Sequence, residues 1–316
     1  MVDDLPLVLI VAALMLHLLG ERRAAARTGR RRDRRARRRA LIFYAGLLTI
    51  LVALTGPLDA LSGELFWAHM IQHLLLMMVA APLIMLSRPW MSLWRPFPLQ
   101  WRRSVAWTLV RSPSCAPIRG LARVLTRAPG AWLAFNINLL FWHLPGPYDL
   151  TLQNTYVHIL EHSTFLLFGI LFWAQVTKAN LPYSQRIGYI AAAMLINVAL
   201  SIFLAFAQHP LYAPYAQLAH RPGGISALAD QQIGAGIMWA AGDMPFAIAL
   251  ALLVQHWLAT QEAMATRQAR LTPELPAAVA SGSPQTPAAG SSGSDQAPNG
   301  DQAPAPPPTA AHRHRQ

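Results

Sequence analysis

Residues 65–86, LFWAHMIQHLLLMMVAAPLIML, decide the class of this chain. The run holds no formally charged residue and is long enough to cross the roughly 30 Å hydrocarbon core of a bilayer as a helix. Its polar interruptions are His69, Gln72 and His73. Residues four apart share a helix face with Cβ atoms about 5–6 Å apart, so one ion can be closed between the two imidazoles. A second pair with the same spacing, His158 and His162, opens the run YVHILEHSTFLLFGILFWAQVT at 156–177. Imidazole suits copper, zinc, iron and nickel, and polar ligands placed inside a membrane segment mark functional sites.

Composition extends this reading to the whole chain. Hydrophobic residues make up 54% and charged residues only 13%, too apolar for an ordinary soluble domain. The expected fold is an all-α, polytopic membrane helix bundle with seven spans: Leu5–Leu19, Ala40–Leu61, Leu65–Leu86, Ala128–Leu144, Tyr156–Thr177, Ile187–Ala207 and Gln232–Gln255. The first is read as an uncleaved helix, because Asp3 and Asp4 precede it and no Ala-x-Ala-like site follows. Residues 1–39 then form a first transmembrane helix and an Arg-rich loop, residues 40–257 a transmembrane core, and residues 258–316 a mostly disordered Pro/Ala/Ser-rich tail that cannot bury enough apolar surface to order itself.

Arginine placement sets the topology, since basic loops stay cytoplasmic. The cluster Arg30–Arg39, the connection 87–127, the loop with Lys178 and Arg186, and the segment with Arg267 and Arg270 are all basic. The alternate loops carry Asp59 and Glu64, then Asp149, then Asp230. This alternation puts the N-terminus outside and the C-terminus in the cytoplasm. It also accounts for the formal net charge of +12 without nucleic acid, for which no motif is present; membrane lipid is the partner such loops suit.

On that topology His69, His73, His143, His158 and His162 gather at the outer ends of three spans, with His209 and His220 in an outer loop. One histidine at a helix end is ordinarily a packing residue, whereas five at one depth form a candidate metal site. Met70, Met77 and Met78 add thioethers, a ligand class that favours copper(I), although methionine also serves as core filler. Cys115 is the only cysteine, which leaves no thiolate cluster within one chain. His312 and His314 read as a solvated end.

Other chemistries fit parts of the pattern. His158-Ile159-Leu160-Glu161-His162 matches the H-x-x-E-H form of some zinc proteases, with Glu161 as general base, but five histidines crowd the open position that a hydrolytic zinc needs. Haem ligation requires histidines facing each other across the macrocycle, not paired on one helix. Asp243, beside Gly242 and Pro245 in the last span, could serve a cation transporter as a midplane station; Asp230, Gln231 and Gln232 lie at the outer end of the same span. A scaffold whose histidines only hydrogen-bond is the remaining reading.

The run His69 to Met78, the run NLLFWHLPGPY from Asn138 to Tyr148, the segment His158 to His162 and Asp230-Gln231-Gln232 leading to Met238-Trp239 together resemble the CtaG family of cytochrome c oxidase assembly factors, over about Ala40 to Val254. The resemblance implies an accessory protein of the bacterial inner membrane, not an enzyme, that helps copper reach a haem-copper oxidase. The implied metal residues are His69, His73, His143, His158 and His162, with the acidic-glutamine motif on Asp230, Gln231 and Gln232; Met70, Met77 and Asp243 are accessory candidates read from the residues themselves. The implied partners are cytochrome c oxidase subunits and a periplasmic copper chaperone. Asp243 and the long tail are not features of that family.

Overall fold

The computed structural model describes residues 5–28, 34–178 and 181–271. The Asp3–Asp4 pair, Arg30–Asp33 of the arginine cluster and the tail from 272, with His312 and His314, lie outside the described residues. The chain divides into a compact unit, Met1–Ala265, and a second unit, Thr266–Gln316, of which only the helical residues to Leu271 are described.

All regular structure among the described residues is helical. The membrane-length elements are α1 (Leu5–Thr28), α2 (Arg34–Leu54) and, after the short α3 (Pro57–Ser62), α4 (Phe66–Ser87). A run of three shorter helices follows: α5 (Trp90–Trp94), α6 (Leu99–Arg111) and α7 (Ala116–Leu125). Then come α8 (Ala128–Trp142), the short α9 (Pro145–Gln153), α10 (Thr155–Val176), α11 (Tyr183–Ala205), the single turn α12 (Ala213–Ala216) and α13 (Ala227–Leu271).

Among the described residues, five helices are long and apolar enough to cross a membrane: α1 to Ala26, α4, α10, α11 and α13 to Gln268. The expected spans Ala40–Leu61 and Ala128–Leu144 take shorter forms. The first breaks at Gly56, whose φ of 76° is open to glycine but strained for other residues, and Pro57 starts a separate helix. The second is a 15-residue helix, ended where Pro145 begins α9. The last span grows instead: α13 holds 45 residues, because the sequence beyond Gln255, with Ala259, Ala263, Ala265, Ala269, Gln261, Gln268 and Arg267, keeps its helix propensity after it has lost its hydropathy.

α4 is not a uniform helix. Between Leu75 and Ala80 it opens into a π turn, immediately before Pro82, which has no N–H to return to the carbonyl one turn back. The Ala81 N–H donates to the Leu76 carbonyl, which releases the Met77 carbonyl from the helix ladder. Trp173 of α10 takes it up, its indole N–H donating at 2.9 Å. The two helices meet closely at this point: a Cβ on Gly169 would lie 3.1 Å from Met77 Cα and 3.2 Å from its carbonyl oxygen. The π turn is thus a docking joint between the two helices that carry the histidine pairs.

Replacing Trp173 with Phe keeps an aromatic, though smaller, ring and strands the Met77 carbonyl in the core. A loss of about 1–3 kcal/mol is expected for an orphaned buried acceptor, read as a lower thermal midpoint in detergent. An unchanged midpoint would mean the joint is held by packing alone.

Candidate metal centre

The first turn of α4 is fixed by another helix. Its N-terminal amides lack intrahelical partners, as in any helix, and Asp230 of α13 supplies them: the Phe66 N–H donates to Oδ2 at 2.8 Å and the Trp67 N–H to Oδ1 at 3.1 Å. Four residues along α13, Gly234 leaves room for Phe66; a Cβ there would come within 2.4 Å of its ring. α10 has its own cap, since the Asn154 side chain accepts from the Tyr156 and Val157 amides at 2.9 and 3.3 Å. Both histidine-bearing turns therefore start from capped, anchored ends.

Between them sits Glu161, with no exposed surface. Its Oε2 lies 3.1 Å from His69 Nε2, within hydrogen-bond reach, and its Oε1 lies 3.3 Å from His73 Nε2, close but without hydrogen-bond alignment. One ligand atom each from His69, His73, Glu161 and His162 fall within 4.8 Å of one another. The rings are correspondingly close, with centroids 4.5 Å apart for His69 and His73, 4.2 Å for His158 and His162, and 5.4 Å for His73 and His162.

The polar accounting of this cluster is incomplete. Both ring nitrogens of His73, the Nε2 atoms of His158 and His162, and Oε1 of Glu161 are buried without a hydrogen bond. Each such group ordinarily costs about 1–3 kcal/mol, and native proteins leave few of them unexplained. A cation bound among them would use the lone pairs that no protein donor reaches, so the residues present fit a small metal ion.

The remaining sequence-predicted residues take distinct places. His143 closes the end of α8, its Nδ1 donating to the Leu139 carbonyl at 2.7 Å, which leaves the Nε2 lone pair beside Met70 Sδ at 3.4 Å. Its ring is 6.0 Å from that of His73, adjoining the four-residue group. Met77 is buried in the π turn. Asp230 commits both oxygens to the α4 amides. Gln231 ties α11 to the following loop, donating to the Leu204 carbonyl and accepting from the Leu211 amide. Asp243 faces Asn197 of α11, whose amide donates to Oδ1 at 3.0 Å.

Several contributors were not foreseen from sequence. Glu161, which the sequence offers only as the base of an alternative hydrolase reading, here joins the donor set; it is the one acid in a membrane-length helix, which is the signal that flags it. Gln72 donates to the Ala53 carbonyl at 2.7 Å and to Asp59 Oδ1 at 3.0 Å, tying α4 to the end of α2 and to α3. A tyrosine group roofs the cluster. Tyr215 donates to the Ser62 carbonyl at 2.5 Å and lies 3.4 Å from both His69 Nδ1 and Tyr148 Oη, while Tyr212 donates to the His143 carbonyl at 3.0 Å. Burial pushes all three phenols well above their usual range, so they remain neutral donors. On the opposite side, a cleft of about 280 Å³ between α1, α2 and α10 is lined by Leu9, Ile10, Leu54, Asp59, His158 and His162.

Helices of membrane length around a buried His/Glu cluster define a helical membrane protein with a candidate metal centre. The family profile of the cytochrome c oxidase caa3 assembly factor (Caa3_CtaG) matches residues 7–260, and the chain belongs to that family. It is also 28% identical over 128 residues to an uncharacterized protein of Mycobacterium bovis and to one of Mycobacterium tuberculosis, and 29% identical over 128 residues to one of Mycobacterium leprae. Each match covers 39% of this chain and 19% of the relative, so the chain spans about a fifth of the length of these curated relatives. No solved structure matches it.

Asp230→Ala removes the cap on α4 and should cost about 0.5–2 kcal/mol, measured by thermal unfolding in detergent, with Asp230→Asn recovering part of the loss. Equal stability of all three proteins would contradict the capping role.

Proposed function

We propose that this protein serves cytochrome c oxidase assembly as a copper-handling membrane factor, binding copper(I) as cargo at the cluster of His69, His73, His162 and Glu161 and passing it on for insertion into the oxidase. The observation that carries this reading is the set of buried imidazole nitrogens without a hydrogen bond, in a chain of an oxidase assembly family.

Charge favours a monovalent ion. Ligating imidazoles are neutral, so the formal charge of the cluster is that of the Glu161 carboxylate. Copper(I) cancels it, whereas a divalent ion leaves a net positive charge in a low-dielectric interior, where charge is expensive. Glu161 also orients the His69 ring, the role that carboxylates commonly fill beside metal-bound histidines. His158, half-buried at the cleft, is the outermost imidazole and suits the first or last step of exchange; His143 and Met70 form a further soft donor pair on the far side.

The hydrolase reading is weaker, because a general base must reach a metal-bound water and Glu161 is engaged with two histidines of α4. The accessory role requires no catalysis. The setting proposed is the bacterial inner membrane, with seven crossings, the N-terminus outside, the tail in the cytoplasm and the cluster near the outer surface. That location is within reach of oxidase subunits and of a periplasmic copper chaperone.

The test is metal content with a visible spectrum on detergent-purified protein under reducing, copper-replete conditions. One copper per chain without a haem Soret band is expected, lost in the His69→Ala, His73→Ala double variant. Glu161→Gln should weaken copper(I) about 10–100-fold while the fold persists by circular dichroism. Zinc in place of copper would favour the hydrolase reading, and absence of any metal would favour a scaffold.

A further inference from the structure

The connection between α4 and α8 is a large, highly charged feature that the metal centre does not use. It begins where α4 ends at Ser87 and finishes where α8 begins at Ala128, and it carries Arg88, Arg95, Arg102, Arg103, Arg111, Arg119, Arg123 and Arg127. No acidic residue occurs anywhere between Glu64 and Asp149. A connection this long rarely lacks secondary structure of its own, and this one folds into α5, α6 and α7.

Neither helix buries a single residue. On α7 the two chemistries separate by face. Ile118, Leu121 and Val124, exposed at 60%, 60% and 56%, share one side, and Arg119 and Arg123 lie on the other, as the 3.6-residue period dictates. α6 adds the exposed Trp101, Trp107 and Val110 beside Arg102 and Arg103. The turn between them is built rather than slack: Arg119 donates to the Leu109 and Ser112 carbonyls at 3.1 and 2.7 Å. At the other end of α7, Gly130 lets α8 approach the Val124 carbonyl, where a Cβ would clash.

We infer that α6 and α7 form an interfacial hairpin that docks on anionic phospholipid, with Ile118, Leu121 and Val124 set into the acyl boundary and the arginines meeting the headgroup phosphates. Three observations select a lipid surface over other occupants. The charge is of one sign. The apolar residues form a stripe with an arginine-bearing opposite face, the pattern of helices that lie in a bilayer surface. The hairpin is also tethered at its start to a helix of membrane length, α4, so the bilayer surface is the nearest large anionic and apolar partner. A docked hairpin would hold the ends of α4 and α8 at a fixed depth. This proposal does not depend on the copper reading.

The chain's single cysteine, Cys115, makes the test clean. On a Cys115→Ser background, one cysteine is placed at Ile118, on the apolar side, or at Gly120, where an added Cβ meets nothing. Each full-length protein is labelled with an environment-sensitive fluorophore and reconstituted in nanodiscs of phosphatidylcholine alone or with phosphatidylglycerol, each with a bromolipid quencher. Quenching at 118 should exceed that at 120 in anionic discs and fall in neutral discs or high salt. Arg123→Gln should lower the docked-to-undocked ratio about fivefold. Equal quenching at the two sites overturns the docking; quenching at 118 that ignores lipid charge overturns the anionic specificity. Shielding at 118 that arises only on adding an acidic protein assigns the face to a protein partner instead.

Discussion

A buried carboxylate has to be matched, and in this protein the matching of Glu161 by imidazoles of another helix is the constraint around which the bundle is arranged. An isolated ionised carboxylate in an apolar interior costs many kcal/mol. Glu161 is fully buried, so α4 must present His69 and His73 to it in register. The imidazoles compensate the acid only in part, and the unpaired nitrogens that remain give the cluster its capacity for a cation.

That register is set from both directions along α4. At its start, Asp230 and Gly234 of α13 fix the first turn against a helix distant in sequence. Further on, the π turn frees the Met77 carbonyl for Trp173 and brings α4 against Gly169 of α10. π turns frequently accompany functional sites because they re-aim side chains without ending a helix. Here the turn begins two residues after His73, so the histidine pair lies between the anchored end and the docking joint. Gln72, clamped to Ala53 and Asp59, adds a third restraint between the two histidines. A site held this way keeps its donors aligned with no ion to gather them, which lowers the reorganisation that binding and release require.

Much of this could be read in the sequence, for a definite reason. Helical periodicity is local, so the spacing of His69 with His73 and of His158 with His162 placed each pair on one face before any fold was known. The resemblance in several separate runs also pointed to the family that the chain belongs to. What could not be read depends on packing between distant segments. Asp230 looked like a site accessory, and only the approach of α13 to α4 reveals a cap. Glu161 has no place in the sequence-derived ligand set, because its own helix gives no hint of His69 across the interface. The break at Gly56 and Pro57 was visible but overridden by continuous hydropathy, while the extension of α13 past Gln255 was hidden because helix propensity and hydropathy part company there.

X-ray absorption at the copper edge on the copper(I)-loaded protein tests the central claim most directly. The account predicts a first shell of light N/O donors with imidazole multiple scattering, changed by His162→Ala and altered only in geometry by Glu161→Gln. A sulfur-dominated shell from methionines, or a spectrum indifferent to His69, His73 and His162, would contradict it.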